Sequence, residues 1–152
     1  MSDAAGLPYG HGGDIWTQRE RWGEAVLDLS ANTNPLGMSP AAARAARDAV
    51  EASDRYPDPR CRRLAFAIAK QTGADPGWVL CGNGAADLIW RLCLAEAPRR
   101  VLVAAPTFSE YAAAARAAGA SVEEAALSEK RDFVLDCSFV DAVAPGIDMV
   151  FV

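Results

Sequence analysis

The stretch Cys81-Gly82-Asn83-Gly84-Ala85-Ala86-Asp87-Leu88-Ile89-Trp90 places two glycines and an asparagine between a short apolar run, "WVL", and a helical pattern. Such a loop can hold an anion. The free backbone N–H groups of Gly84, Ala85 and Ala86 would point at a phosphate, and the helix dipole favours its charge. The stretch also starts like the dinucleotide fingerprint G-x-G-x-x-G, but Asp87 stands where the third glycine would allow close helix–strand packing. The next strand end, "APTFS" at 105–109, offers no acid to hold a ribose. A nicotinamide or flavin dinucleotide is therefore disfavoured. The loop alone leaves two readings open: a phosphate cradle, or a turn whose Asp87 complements the helix dipole.

Other residues with chemical potential are scattered along the chain. His11, the single histidine, lies in "YGHGGD"; Asn32 lies in "LDLSANTNPLG", Tyr56 in "RYPDP" and Phe108 in "APTFSEY". Phe108 follows an apolar run and Pro106, where a flat ring suits either a strand-end core or a stacking partner. Only Lys70 and Lys130 among 15 basic residues are lysines. Lys70 falls near a helix C-terminus, where a cation suits the dipole, and Lys130 falls in the polar loop "LSEKRD". Neither is at a strand end beside the glycine loop. Arg55, Arg60, Arg62 and Arg63 cluster, and read as a solvated helix end. Cys61, Cys81, Cys93 and Cys137 form no C-x-x-C pair, so no zinc or other metal site is expected.

The elements that must position these residues follow from periodicity and punctuation. Residues 1–37 are irregular and rich in Gly, Asn and Pro, with "LDLSANTNPLG" reading as a short strand-like run and a turn. Ser39 caps a helix with Pro40 in its first turn, running to Ala52. A second helix spans about Arg60–Gln71, with Leu64, Phe66 and Ile68 apolar and Gly73 beyond its end. "WVLC" then reads as a strand and Ala85–Ala97 as a helix with Leu88, Ile89, Leu92 and Cys93 on one face. "RVLVAA" is a buried strand and Ser109–Ala118 a helix ended by Gly119. "ASVEEAAL" and "DFVLD" read as strands, Asp136–Val143 as a short helix and "DMVFV" as a strand. This α/β order predicts a mostly parallel sheet with helices on its faces. An N-terminal part, 1–73, carries an arm and helices, and 74–152 opens the larger domain.

Composition narrows the classes. The chain has 152 residues, with 51% hydrophobic and 23% charged, as in a globular protein. A net charge of −5 disfavours a nucleic-acid surface. No apolar run is long enough for a membrane span, and the start shows no signal-peptide pattern, so a cytoplasmic location with reduced cysteines is expected.

Taken in order, "HGGD", "LDLSANTNPLG", "RYPDP", "CGNGAADLI" and "APTFSEY" resemble the N-terminal part of the threonine-phosphate decarboxylases of cobalamin biosynthesis. These are relatives of the histidinol-phosphate aminotransferases within the fold-type-I pyridoxal 5'-phosphate enzymes. The "HGG" and "SANTNPLG" stretches resemble the decarboxylases; the aminotransferases read closer to "NENPYG". The resemblance implies roles. Asn83, Gly84 and Ala85 match the loop that holds the cofactor phosphate, and Phe108 matches the aromatic that stacks on the pyridine ring. Tyr56 matches a tyrosine that reaches the cofactor phosphate of the partner subunit in a homodimer. His11 and Asn32 match a segment that closes over a phosphorylated amino-acid substrate. The lysine that bonds the cofactor, the aspartate for the pyridine nitrogen and the arginine for the substrate carboxylate are expected beyond Val152. The whole enzyme would convert L-threonine-O-3-phosphate to aminopropanol phosphate, and this piece alone would be inactive. Alternatives are an aminotransferase of the histidinol-phosphate type and a non-catalytic phosphate-binding remnant.

Overall fold

The computed structural model describes residues 12–152. The chain divides into two units, Met1–Pro59 and Arg60–Val152.

In the first unit, α1 spans Ile15–Trp22 and α2 spans Pro40–Glu51. Helix α1 lies inside the stretch read as irregular. Its start is set by Asp14, whose carboxylate accepts the Thr17 N–H at 3.1 Å, an N-cap in a Gly-rich context that hides the helix from periodicity. Helix α2 begins as its sequence predicts: the Ser39 hydroxyl accepts the Ala42 N–H at 3.2 Å and Pro40 occupies the first position. The strand-like run at 27–30 is not a strand. Asp28 Oδ1 takes both the Ser30 N–H, at 2.9 Å, and the Ser30 hydroxyl, at 2.6 Å. That local side-chain bonding replaces a ladder.

The second unit is built on a three-stranded parallel sheet in the order β2-β1-β3. Its strands are β1 (Arg100–Ala105), β2 (Ser121–Ala126) and β3 (Met149–Phe151). The register runs from Arg100 opposite Ser121 to Ala105 opposite Ala126 on one side. On the other, Val101 faces Met149 and Val103 faces Phe151. Central β1 reads as a continuous apolar run because both its faces are covered. Val101 and Val103 join Cys93, Ala114 and Ala115 in one buried cluster, while Leu102 and Ala104 join Phe139 on the other face. Each valine or leucine so buried contributes about 1.5–3 kcal/mol. Helices α4 (Gly84–Glu96) and α5 (Ser109–Ala117) supply the first cluster, and α6 (Cys137–Asp141) supplies the second. This is the mixed α/β, parallel-sheet fold that the sequence predicts.

The structure changes several expectations in this unit. "WVLC" is not a strand: Pro76–Trp78 forms a 3₁₀ turn capped by Asp75, and Val79 is extended but has no ladder partner among the described residues. "DFVLD" is not one either, because Asp132 and Phe133 have positive φ of 52° and 53°, which no strand accommodates. On α3 (Arg62–Thr72) the buried residues are Ala65 and Ala69, while Leu64 and Phe66 stay exposed. On α4, Cys93 is buried and Ile89 packs against the core, whereas Leu92 of the expected apolar face is 45% exposed.

Candidate active site: the glycine loop and the aromatic at the sheet's carboxyl edge

Ligands of parallel α/β sheets gather at the carboxyl ends of the strands. Here β1 ends at Ala105 and delivers the chain directly into Pro106, Thr107 and Phe108, the last of which is the N-cap of α5. Phe108 is 41% exposed, and its ring meets Tyr111 edge-on at 5.8 Å. Tyr111 in turn stacks flat on Phe151 at the end of β3, with ring centroids 4.6 Å apart. Phe108 is thus braced from one side by a short aromatic chain that runs back to the sheet. A cavity of about 320 Å³ adjoins it, lined by Ala105, Pro106, Phe108 and Arg116 among others. Another of about 310 Å³, lined by Glu96, Arg99 and Asp148, lies at the amino ends of β1 and β3, the edge where such sheets do not place ligands.

The glycine loop leads into α4. Asn83 is its N-cap residue, yet the Asn83 side chain makes no capping bond, so the first N–H groups of the helix are left uncovered by side chains. Gly84 has φ +81° with nothing within 4 Å of where a Cβ would sit. The left-handed backbone favours glycine there, and the space above it is open. Gly82 is closed in instead: a Cβ would lie 2.7 Å from Asp87 Oδ2 and 2.8 Å from Leu88 Cδ2. Asp87 Oδ2 accepts the Asn83 N–H at 2.9 Å, a reach-back bond of the capping-box kind. Its Oδ1 pairs with Arg91 Nε at 2.9 Å, and Arg91 Nη1 donates to the Cys81 carbonyl at 3.4 Å. The loop therefore carries open, oriented donors on one side and a carboxylate–guanidinium brace on the other. Uncapped N–H groups, an open glycine and a half-exposed ring suit a ligand that combines a phosphate with a flat aromatic system.

The two pieces of this site are tied to each other. Trp90 Nε1 on α4 donates to Glu110 Oε2 in the first turn of α5, and Ile89, Trp90 and Tyr111 pack on the same buried cluster. Asn83, Gly84, Ala85 and Phe108 so belong to two helices with a common brace. Glu110 lies in the first turn of α5, and Tyr111 packs on the buried cluster. The links themselves were not legible: Trp90 and Glu110 are 20 residues apart, and nothing local signals the pair. The Asp87–Arg91 spacing of i,i+4 is a signal that sequence alone offers.

The remaining candidates lie in the first unit. Tyr56 is fully exposed, with a relative accessibility of 102%. Asn32 is also exposed, in a segment held by local bonds. Asn34 Nδ2 donates to the Gly37 carbonyl at 2.9 Å and Asn34 Oδ1 accepts the Leu36 N–H at 3.0 Å. His11 lies outside the described residues, but its neighbours in "HGGD" do not. A Cβ on Gly12 would fall 1.7 Å from the Ser30 carbonyl oxygen, and the Gly13 N–H donates to Ser30 Oγ at 2.7 Å. The glycines of "HGG" are thus set against the segment that carries Asn32.

Lys130 sits in the 3₁₀ turn Glu129–Arg131 and Lys70 in the last turn of α3. The four cysteines are free thiols, Cys93 buried with its pKa raised by desolvation. Among the described residues no cluster could hold a metal ion, and no helix is long and apolar enough to cross a membrane.

The chain is 33% identical over 144 residues to the threonine-phosphate decarboxylase of Salmonella typhimurium, covering 93% of this chain and 40% of that protein. It is 33% identical over 132 residues to the histidinol-phosphate aminotransferase of Shouchella clausii, covering 85% of this chain and 36% of that one. The chain therefore spans about two fifths of the length of these relatives. Its fold matches the crystal structure of histidinol-phosphate aminotransferase from Sinorhizobium meliloti in complex with pyridoxal-5'-phosphate. That match has a TM-score of 0.69 at 21% identity, over 79% of this chain and 33% of the other. The family model for aminotransferase class I and II matches residues 24–144, and the chain belongs to that family, whose members are built around pyridoxal 5'-phosphate.

Proposed function

We propose that this chain is the N-terminal part of a pyridoxal-phosphate-dependent L-threonine-O-3-phosphate decarboxylase that forms aminopropanol phosphate for cobalamin biosynthesis. The observation that carries the choice of substrate is the contact between "HGG" and "SANTNPLG". Gly12 approaches Ser30 so closely that no side chain fits, which makes one unit of the two stretches that resemble the decarboxylases. The match to the Salmonella typhimurium decarboxylase also takes in 144 residues, against 132 for the Shouchella clausii aminotransferase.

The cofactor, when bound, accepts into its ring the electron pair released as the substrate loses its carboxylate. This chain's residues hold and orient. The N–H groups of Gly84 and Ala85, with Asn83 beside them, bind the cofactor phosphate, and the Phe108 ring covers one face of the pyridine. Tyr56 reaches the cofactor phosphate of a second subunit, which makes the working form a homodimer. His11 helps bind the substrate phosphate, and the segment that carries His11 and Asn32 closes over the substrate. Lys70 lies in the last turn of α3 and Lys130 in the Glu129–Arg131 turn; neither is the cofactor-bonding lysine in this reading, in which the 152-residue chain alone is inactive. The protein works in the cytoplasm.

Product analysis tests this reading. The complete gene product, supplied with pyridoxal 5'-phosphate and L-threonine-O-3-phosphate, should release CO₂ and aminopropanol phosphate with no oxo-acid acceptor. Transfer of an amino group from histidinol phosphate to 2-oxoglutarate, without CO₂, would instead establish the aminotransferase reading, which the Shouchella clausii match favours. Borohydride treatment of the 152-residue chain with the cofactor should give no adduct at Lys70 or Lys130.

A further inference from the structure

The glycine loop has a neighbour that its phosphate role does not explain. Asp87 places a carboxylate in the first turn of α4, only one residue after Ala86. A negative charge there competes with any phosphate for the same helix end, because both are drawn by the same dipole and repel each other. Yet Asp87 has a structural task. It accepts the Asn83 N–H at 2.9 Å, and it backs Gly82, where no Cβ would fit. Arg91 resolves the conflict. One turn on along α4, it pairs with the second oxygen of the same carboxylate at 2.9 Å and also reaches the Cys81 carbonyl. Its side chain remains 52% exposed, whereas Asp87 is 27% exposed, so the pair sits at the loop's edge and not in the core.

We infer that Arg91 is a positioning residue for the cofactor-phosphate loop: it neutralises Asp87, so that the carboxylate can hold the Asn83 N–H without opposing a phosphate on the N–H groups of Gly84, Ala85 and Ala86. The inference rests on the reading of this loop as the phosphate site. It predicts a dependence on charge, not on shape. Removing the guanidinium leaves the carboxylate uncompensated and weakens phosphate binding. Removing both charges, while an amide still accepts the Asn83 N–H, restores it. A brace that served folding alone would show neither effect.

The test is an amide-resolved NMR titration of the complete gene product, freed of cofactor, with inorganic phosphate, pyridoxal 5'-phosphate and, as a control, pyridoxal. In the parent chain the Gly84, Ala85 and Ala86 amides should shift with phosphate, and the Asn83 amide should be protected from exchange throughout. Arg91→Gln should weaken inorganic phosphate and pyridoxal 5'-phosphate binding about three- to tenfold, the effect of one charge at a helix end. The loss should shrink at high salt. Arg91→Lys should recover most of it, and the double variant Asp87→Asn/Arg91→Gln should return close to the parent value. Pyridoxal, which lacks the phosphate, should be indifferent to all three changes. The unchanged amide pattern of β1 certifies that each variant is folded. Equal phosphate affinity in the parent and Arg91→Gln would overturn the inference, as would a double variant no better than the single one. Gly84–Ala86 amides that ignore phosphate in the parent itself would overturn the loop reading, and the inference with it.

Discussion

Gly82 and Gly84 occupy neighbouring positions in one loop but are required for different reasons, and substitution should separate them. Gly82 is enclosed: an added Cβ meets the Asp87 carboxylate at 2.7 Å and the Leu88 side chain at 2.8 Å. Gly82→Ala should therefore push Asp87 off the Asn83 N–H and cost about 1–3 kcal/mol, as overpacking does. Gly84 meets nothing, but its φ is +81°, so Gly84→Ala should cost about 1–2 kcal/mol through backbone strain alone. Urea unfolding gives both stabilities. Amide exchange at Asn83 tells them apart, since it should rise sharply in Gly82→Ala and change little in Gly84→Ala. The fingerprint-like spelling of this loop was legible in the sequence, and so was the misfit of Asp87 to a dinucleotide site. The job of Asp87 was not. A first-turn acid reads as a dipole partner, and only the folded loop shows that the carboxylate turns back to Asn83.

Strands with two covered faces announce themselves, and strands or helices defined by side-chain bonds do not. "RVLVAA" and "DMVFV" were legible because burial on a parallel sheet demands continuous apolar runs. Helix α1 was hidden because its start depends on one carboxylate after two glycines, and none of its residues is buried. "DFVLD" misled because apolar content outweighed the turn geometry of Asp132 and Phe133. Long-range ties between elements were the least legible, and two of them can be tested. Trp90→Phe keeps the ring between α4 and α5 but removes the donor to Glu110. It should cost about 1 kcal/mol in denaturant unfolding, and the Phe108 ring resonances should shift although residue 90 is on another helix. At the other end of the sheet, Asp148 joins β3 to β1: its Oδ2 accepts the N–H groups of Arg99 and Arg100 at 2.8 and 3.0 Å. These bonds, that from Arg100 first, hold its pKa below the ordinary 3.8. A carboxylate depressed on folding stabilises at pH above its unfolded value and loses that contribution as pH falls through its folded value. The parent chain should thus exceed Asp148→Asn in stability at neutral pH. Unfolding curves taken at decreasing pH should show the gap closing only below about 3.8. A gap that is constant with pH would mean that the carboxylate's charge plays no part.

For the whole chain, the decisive fact is how little apolar surface is hidden. Among the described residues, six of the eleven buried apolar residues are alanines, while Trp78 (84%), Leu80 (68%), Phe66 (63%) and Leu64 (53%) stay exposed in the second unit. A groove of about 570 Å³ runs between α3 and the Pro76–Trp78 turn, with Phe66 and Val79 on its walls and Arg60 and Arg62 at its rim. Apolar side chains of this size gain about 25 cal/mol for each Å² removed from water, so contact between chains is favourable, and the net charge of −5 is what opposes it. Sedimentation velocity on the 152-residue chain should show association at micromolar concentrations. It should increase with added salt, which screens the repulsion, and with acidification, which removes net negative charge. Phe66→Glu combined with Trp78→Glu adds charge where apolar surface is open, and should shift the chain toward monomer at every pH above the carboxylate range. The β1 core shares no residue with the substituted positions, so its amide exchange should stay as slow as in the parent chain. Association that persists unchanged in this double variant would place the sticky surface elsewhere, with the outer edges of β2 and β3, which have no ladder partner among the described residues, the next to be tested.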